Sequence, residues 1–307
     1  MTEDGKDSMT IPYSISSSRG PGSPDVVGFY DKASGSCQYI CIDPATKKCA
    51  LIDVVLDFDP ARAGTSTKSA DWALDWIGRE GLTLEWILDT HPHADHLMAA
   101  AYLKWKTGAP NAIGEKVREI AGLWRDFYNT PDAFDPEADF DRLLAEGDTF
   151  RIGDLDVRVM LSPGHTLGSI TYVVGDAVFA HDTFMQPDSG TARADFPGGS
   201  AAMLYDSLMA ILALPDEFRI FIGHDYGAEG RDEPAWESTV AEQKASNKHL
   251  GGGVEKDAYV KVREERDATL NLPDRMLHAL QVNLRGGRLP EPEADGNSYF
   301  KIPANRF

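Results

Sequence analysis

Short apolar runs, broken by Gly, Pro and Asp, recur along the chain and are typical of β-strands. Between them lie segments with apolar residues at helical spacing. The two patterns interleave twice, which predicts a mixed α/β fold. The predicted strands are residues 26–30, 38–43, 49–55, 84–88, 157–161, 170–174, 177–180 and 219–222. The predicted helices in this part of the chain are residues 69–80, 97–106, 115–127 and 201–214.

The pattern divides the chain into three regions. Residues 14–24 are rich in Ser, Gly and Pro, so residues 1–24 are predicted to form a flexible leader, with order beginning near Asp25. Residues 25–232 carry the interleaved strands and helices and form the predicted metal-binding domain. Residues 233–307 are predicted to form a helical C-terminal extension packed on that domain, with helices and turns over residues 237–249, 256–270 and 275–280.

Charge limits the partners that the chain is expected to bind. The 307 residues include 30 Lys and Arg against 49 Asp and Glu, a formal net charge of −19. This excess disfavours binding to nucleic acid or to an anionic membrane, because both require clustered cations. It also predicts little electrostatic attraction of an anionic substrate, so kcat/KM should not fall as ionic strength rises.

Compartment and cysteine state follow from features near the N-terminus. No apolar run has membrane-spanning length, and residues 1–24 have no export-signal pattern, so we expect a cytoplasmic protein.

The three cysteines, Cys37, Cys41 and Cys49, are an odd count that argues against a disulfide framework. We expect them to be small buried apolar residues in a reducing compartment.

Histidines gather where predicted strands end. His91, His93, Asp95 and His96 lie within six residues, directly after the strand at 84–88. Strand ends are rigid but open, so side chains there can converge on one point. Imidazole and carboxylate ligands together suit Zn, Fe, Mn or Ni better than Ca or Mg. This stretch therefore predicts a site for one of those metals.

Four motifs together resemble the metallo-β-lactamase superfamily and cover roughly residues 25–230. In the order of the family they are the turn at 90–96, the loop Ser-Pro-Gly-His-Thr at 162–166, Asp182, and His224 in Gly-His-Asp-Tyr. The resemblance implies an αββα sandwich with the metal at one edge, between the two sheets. It implies one metal site of His91, His93 and His165, a second of Asp95, His96 and His224, and Asp182 as the bridge between them.

A narrower resemblance, in residues 185–199 and 224–226, is to the persulfide dioxygenases, which are similar to glyoxalase II. It implies one Fe(II) per chain held by His91, His165 and Asp182, with coordination positions left open for substrate sulfur and O2. The implied reaction converts glutathione persulfide, O2 and water to sulfite and glutathione. It further implies that Arg193 pairs with a carboxylate of this small thiol substrate, that Tyr226 hydrogen-bonds at the substrate or oxygen site, and that the chain forms a homo-oligomer.

The residues leave a second function open. His93, Asp95, His96 and His224 either orient the ligands of one iron or hold a second metal. In the second case the chain would be a thioester hydrolase of glyoxalase II type with two Zn, or a related hydrolase such as a lactonase. His181 stands where the superfamily commonly has Gly, and because neighbours on a strand alternate sides, we expect it to face outward.

Overall fold

The computed structural model describes residues 11–306, in which strands and helices alternate as the hydrophobic pattern predicts. The strands are β1 (Tyr13–Ser16), β2 (Asp25–Asp31), β3 (Ser36–Asp43), β4 (Lys48–Ile52), β5 (Val55–Asp59), β6 (Gly64–Ser66), β7 (Thr83–Leu88), β8 (Leu97–Met98), β9 (Asn111–Gly114), β10 (Arg142–Leu144), β11 (Thr149–Ile152), β12 (Leu155–Leu161), β13 (Ile170–Val174), β14 (Ala177–His181), β15 (Arg219–Ile222) and β16 (Glu237–Thr239). The helices are α1 (Lys68–Arg79), α2 (Ala100–Thr107), α3 (Val117–Tyr128), α4 (Pro136–Asp139), α5 (Ala201–Leu212), α6 (Val240–Ser246), α7 (Lys256–Asp267) and α8 (Met276–Asn283).

Two large sheets and one small sheet organise these elements. The first large sheet has the strand order β1-β2-β3-β4-β7-β9-β10, antiparallel from β1 to β4 and parallel from β4 onward. The second has the order β11-β12-β13-β14-β15-β16, and only its β14–β15 pair is parallel. The small sheet has the order β6-β5-β8. Helical connections join β4 to β7 and β14 to β15, as parallel pairing requires.

The two large sheets pack face to face. Tyr39 of β3 lies edge-on to Phe179 of β14 and Phe221 of β15, with ring centroids 5.5 Å and 5.4 Å away. On the other face of the first sheet, Ala73 of α1 and Leu103 of α2 join a second apolar cluster. Residues of α5 pack into the core with β12 to β15. This layering confirms the expected αββα sandwich.

Two predicted helices begin three residues later than expected. The helix expected from residue 97 begins at Ala100, because Leu97 and Met98 pair with β5. The helix expected from residue 237 begins at Val240, because Glu237–Thr239 pairs with β15. Thr239 then caps α6 through a reciprocal bond with Glu242.

The predicted burial of the cysteines is confirmed. Cys37, Cys41 and Cys49 are buried thiols without disulfide partners. Burial raises the pKa of Cys49 to about 12, so it stays protonated near neutral pH. Over residues 11–306, no helix combines the length and the apolar character needed to cross a bilayer.

Arg219 ties the N-terminal segment to the second sheet. The sequence predicts that order begins near Asp25, but regular structure already begins with β1. Residues 1–10 of the predicted leader lie outside the described residues. The Arg219 side chain is 0% exposed and pairs with Asp176 at 2.8 Å. Its guanidinium also donates to the Ser16 hydroxyl at 2.9 Å and to the Pro24 carbonyl at 3.0 Å. One buried cation therefore holds the chain at Ser16 and at Pro24, within the stretch 14–24 that the sequence predicts to be flexible.

We expect Arg219→Met to lower the free energy of unfolding by about 3–5 kcal/mol, because it leaves a carboxylate and carbonyls without their buried donor. Denaturant unfolding measures this change. The control is Arg19→Met, which removes the exposed cation 3.8 Å from the same Asp176 and should cost about 0.5 kcal/mol or less. Equal stability of the two variants would contradict this role for Arg219.

Candidate metal centre

The motif residues follow the carboxyl ends of strands. The turn at 90–96 follows β7, and Asp182 directly follows β14. The loop that carries His165 follows β12, and the loop that carries His224 follows β15. Because β12, β14 and β15 run in the same direction, their carboxyl ends meet at one edge of the second sheet. Topology thus gathers residues that are far apart in the chain.

His91, His165 and Asp182 converge on one point. His91 Nε2 lies 3.4 Å from Asp182 Oδ2, and His165 Nε2 lies 3.5 Å from the same oxygen. The two imidazole rings are nearly perpendicular, at 89°, with centroids 5.1 Å apart. His91 Nε2 is buried and has no hydrogen-bond partner. Buried polar atoms without a partner are uncommon in folded proteins, and a position as metal ligand accounts for this one.

The outer nitrogens of these two imidazoles determine their tautomers. His165 Nδ1 donates to the Arg193 carbonyl at 2.8 Å, so its Nε2 carries the lone pair. Thr90 Oγ1 donates to Asp53 Oδ2 at 2.8 Å and therefore accepts from His91 Nδ1 at 3.1 Å. Burial lowers the pKa of His165 to about 4, which keeps it neutral. Both Nε2 lone pairs thus point toward Asp182.

His93 follows the same rule with its nitrogens exchanged. Its Nε2 donates to Asp53 Oδ1 at 3.1 Å, and its buried Nδ1 has no partner. The ligand atoms of His91, His93 and Asp182 lie within 4.8 Å of one another. Imidazole lone pairs and a carboxylate directed at one place form a donor set that Zn or Fe accepts. The cluster therefore indicates a metal cofactor.

Asp53 is a site residue that the sequence analysis missed. It lies between β4 and β5 in the left-handed region, with φ 53°, and is 2% exposed. Burial raises its pKa, while hydrogen bonds from the Thr90 N–H and hydroxyl oppose that shift. It orients His91 through Thr90 and orients His93 directly. The available signal was an acid inside an otherwise apolar stretch, where a carboxylate must have partners.

A second cluster consists of His93, Asp95, His96 and His224, with ligand atoms within 4.8 Å of one another. His224 Nδ1 lies 2.6 Å from Asp182 Oδ1, and its Nε2 lies 2.9 Å from Asp95 Oδ2. Burial alone would lower the pKa of His224, but the two carboxylates raise it well above its usual value. His224 therefore forms a cationic bridge between two acids.

The prediction that His181 faces outward is wrong. The ring is 1% exposed and lies 5.2 Å from the His91 ring, between centroids. Its Nε2 is 2.9 Å from the hydroxyls of Ser162 and Thr183. The register shifts between Phe179 and His181, where φ reaches 42°, so alternation along the strand ends before this residue.

The centre opens into a cleft of about 1200 Å³ that Arg193 and Tyr226 help to line. The Tyr226 hydroxyl donates to Asp95 Oδ2 at 2.6 Å, and its ring stacks on His224 with centroids 5.8 Å apart. The Arg193 guanidinium forms two bonds to Asp195, at 2.6 Å and 2.8 Å. A substrate carboxylate at Arg193 would therefore have to compete with Asp195.

The C-terminal helices hold the metal-motif turn in place. The Asn283 amide, at the end of α8, donates to the carbonyls of His93 and His96 at 2.8 Å and 2.9 Å. Its oxygen accepts from the Met98 N–H at 2.7 Å. One buried amide therefore fixes the backbone of the turn, although it is separated from the turn by 185 or more residues in the sequence.

A buried ion pair of α7 holds the backbone that bonds to His165. Arg263 pairs with Asp267 at 2.7 Å, and both are buried. Arg263 donates to the Thr191 carbonyl at 2.8 Å, and Asp267 accepts from the Ala194 N–H at 2.8 Å. These bonds flank Arg193, whose carbonyl sets the tautomer of His165, so α7 positions that imidazole indirectly.

Comparisons with known proteins agree with this geometry. The chain is 57% identical over 282 residues to a beta-lactamase hydrolase-like protein of Xylella fastidiosa. The matched region covers 92% of this chain and 65% of that protein. It is 44% identical over 280 residues to glyoxylase B2 of Dictyostelium discoideum, covering 90% of this chain and 96% of that protein. The crystal structure of ETHE1 from Myxococcus xanthus matches with a TM-score of 0.68 and 30% identity, covering 85% of this chain and 98% of that one.

The chain thus spans about two thirds of the length of the Xylella relative. The sequence profile of the metallo-beta-lactamase superfamily matches residues 34–224, which include the four motifs from the turn at 90–96 to His224. The family resemblance drawn from those motifs is therefore confirmed. This chain belongs to the metallo-beta-lactamase superfamily.

Proposed function

We propose that the chain is a persulfide dioxygenase that uses one Fe(II). The reaction is GSSH + O2 + H2O → GSH + SO3²⁻ + 2H⁺, where GSSH is glutathione persulfide. The likeness to ETHE1 at 30% identity supports this assignment. The iron would be held by His91, His165 and Asp182, and when bound it would supply O2 activation and a binding position for the terminal sulfur.

The observation that carries the proposal is that the two oxygens of the Asp182 carboxylate have different partners. Its Oδ2 lies near His91 Nε2 and His165 Nε2, whereas its Oδ1 accepts from His224 Nδ1 at 2.6 Å. A carboxylate that bridged two metals through both oxygens would need Oδ1 for the second metal, and here Oδ1 accepts from His224 instead. His224 Nε2 also lies 2.9 Å from Asp95 Oδ2, so both ring nitrogens of His224 lie beside carboxylates. This arrangement favours one metal.

The other residues of the site orient and shield the iron ligands. Asp53 and the Arg193 carbonyl hold imidazole tautomers, as outer hydrogen bonds do around metal sites. Tyr226, fixed by Asp95, presents its ring and hydroxyl at the cleft wall. The sulfite and glutathione formed would leave through the same cleft.

The competing proposal is a binuclear thioester hydrolase of glyoxalase II type with two Zn per chain. One observation favours it: His93, Asp95, His96 and His224 lie close enough together to hold an ion. The name of the Dictyostelium relative, glyoxylase B2, points in the same direction. A lactonase would use the same binuclear arrangement. For the dioxygenase and the hydrolase alike, the homo-oligomer stays a prediction.

We expect protein purified without oxygen to contain about one iron per chain and to consume O2 when glutathione persulfide is added, with sulfite as product. Metal analysis, an oxygen electrode and sulfite detection measure these quantities. S-lactoylglutathione, the thioester substrate, should be hydrolysed much more slowly. Two zinc ions per chain with thioester turnover and no O2 uptake would overturn the proposal.

We expect Asp95→Ala to retain about one iron per chain, because Asp95 contacts His224 and Tyr226 rather than the His91 and His165 nitrogens. Asp182→Ala should lose the iron, since it removes the oxygen shared by those two imidazoles. Metal content after dialysis distinguishes the variants. Loss of all metal from Asp95→Ala would contradict the ligand assignment, and loss of one of two metals would favour the hydrolase.

A further inference from the structure

We propose that Lys248, His249 and Arg266 form a subsite that binds a carboxylate of the thiol substrate. The three residues belong to the C-terminal extension and line the same cleft as His165 and Asp182. The identity of the substrate as a glutathione derivative rests on the proposed function, whereas the carboxylate chemistry rests on the subsite itself.

His249 has a defined tautomer that leaves one donor for a ligand. The Thr191 N–H donates to His249 Nδ1 at 3.0 Å, so Nδ1 is unprotonated and the hydrogen is on Nε2. Gly190 makes room for this contact, because a Cβ there would lie 2.3 Å from His249 Nδ1. Nε2 has no hydrogen-bond partner within residues 11–306. A neutral imidazole N–H on the cleft wall is suited to a carboxylate acceptor.

The surroundings of His249 are cationic. Burial, followed in order of importance by the cations Arg263, Lys248 and Arg266, lowers the pKa of His249 to about 4. The imidazole therefore stays neutral above that pH, and Lys248 and Arg266 place positive charge near its ring. These cations line the same cleft as His165 and Asp182, in a chain whose net charge is −19.

Three arginines near the cleft are paired with carboxylates, whereas Lys248 and Arg266 are not. Lys32 and Arg275 of the cleft lining also have no carboxylate partner among residues 11–306, but of these four cations only Lys248 and Arg266 lower the pKa of His249. Arg193 pairs with Asp195, Arg231 with Asp188 and Asp225, and Arg263 with Asp267. Lys248 and Arg266, in contrast, pair with no carboxylate in the described part of the chain, and Arg266 only donates to Thr269 Oγ1 at 3.2 Å. In so acidic a protein, two unpaired cations beside an imidazole donor are available to an anion.

A substrate with separated ends suits this arrangement, because the subsite and the metal centre line one cleft. The sulfur of such a substrate belongs at the metal centre, and its carboxylate must then meet donors elsewhere along the cleft. Arg193, to which the persulfide dioxygenase resemblance gives this task, is already engaged by Asp195. Lys248 and Arg266 are free to form charge-assisted bonds there. The subsite therefore selects small thiols that carry a carboxylate remote from the sulfur.

The direct test is binding of S-methylglutathione, an unreactive analogue, to metal-free protein by calorimetry. We expect Lys248→Met and Arg266→Met each to weaken binding about fivefold, as loss of one solvent-exposed charge contact does. His249→Asn, whose amide oxygen can still accept from the Thr191 N–H but lacks the Nε2 donor, should weaken it by a similar or smaller factor. Esterifying the analogue's carboxylates should weaken binding to wild type and abolish the differences among the variants.

The matched control is Lys32→Met, which removes another cation of the cleft lining on the side of Tyr226 and Gly35. It should change affinity less than twofold, and the melting temperatures of all variants should match that of the wild type. Wild-type affinity should fall as ionic strength rises, opposite to the expectation from net charge, and the fall should be smaller in the Lys248→Met/Arg266→Met variant.

Three results would overturn the subsite: no binding to the wild type, a double variant within twofold of the wild type, or an equal loss in Lys32→Met. The outcome is independent of the chemistry at the metal. If the variants lose binding but the loaded enzyme hydrolyses a thioester without O2 uptake, the subsite stands and the dioxygenase fails. If persulfide is oxidised but the variants bind normally, the dioxygenase stands and the subsite fails.

Discussion

The metal centre depends on one constraint: each buried imidazole must give its N–H to the surrounding protein before its lone pair can point inward. His165 donates to a backbone carbonyl, His91 to a hydroxyl and His93 to Asp53. Polar groups buried without partners are costly, so every outer bond is part of the fold as well as of the site. The sandwich supplies those acceptors at one edge, where strands of both sheets end.

The C-terminal extension completes the constraint from outside the sandwich. Asn283 bonds the carbonyls of the metal-motif turn, and the Arg263–Asp267 pair bonds the backbone on both sides of Arg193. The extension therefore contacts both halves of the centre through backbone atoms. It also contributes Lys248 and Arg266 to the cleft. The extension thus both positions the backbone around the metal centre and lines the cleft.

Charge distribution separates the surface from the site. The chain carries −19 overall, yet its cleft holds unpaired cations, and His224 is held cationic between Asp95 and Asp182. A net charge sums the whole surface, while a substrate in a cleft experiences the nearest groups most strongly. The acidic composition is therefore a poor guide to what the cleft attracts.

The sequence by itself determined the mixed α/β order and the helical extension, because apolar periodicity is a local pattern. Closely spaced histidines determined the set of motif residues, and the family resemblance of those motifs implied the sandwich. It did not determine the inward turn of His181, which depends on a register shift beside β15, or the roles of Asp53 and Asn283, which act on residues distant in the chain. Nor did it reveal that Arg193 pairs with Asp195, or that Asp182 divides its oxygens between two partners. Those features are distances and directions between side chains, and only the packed tertiary structure decides them.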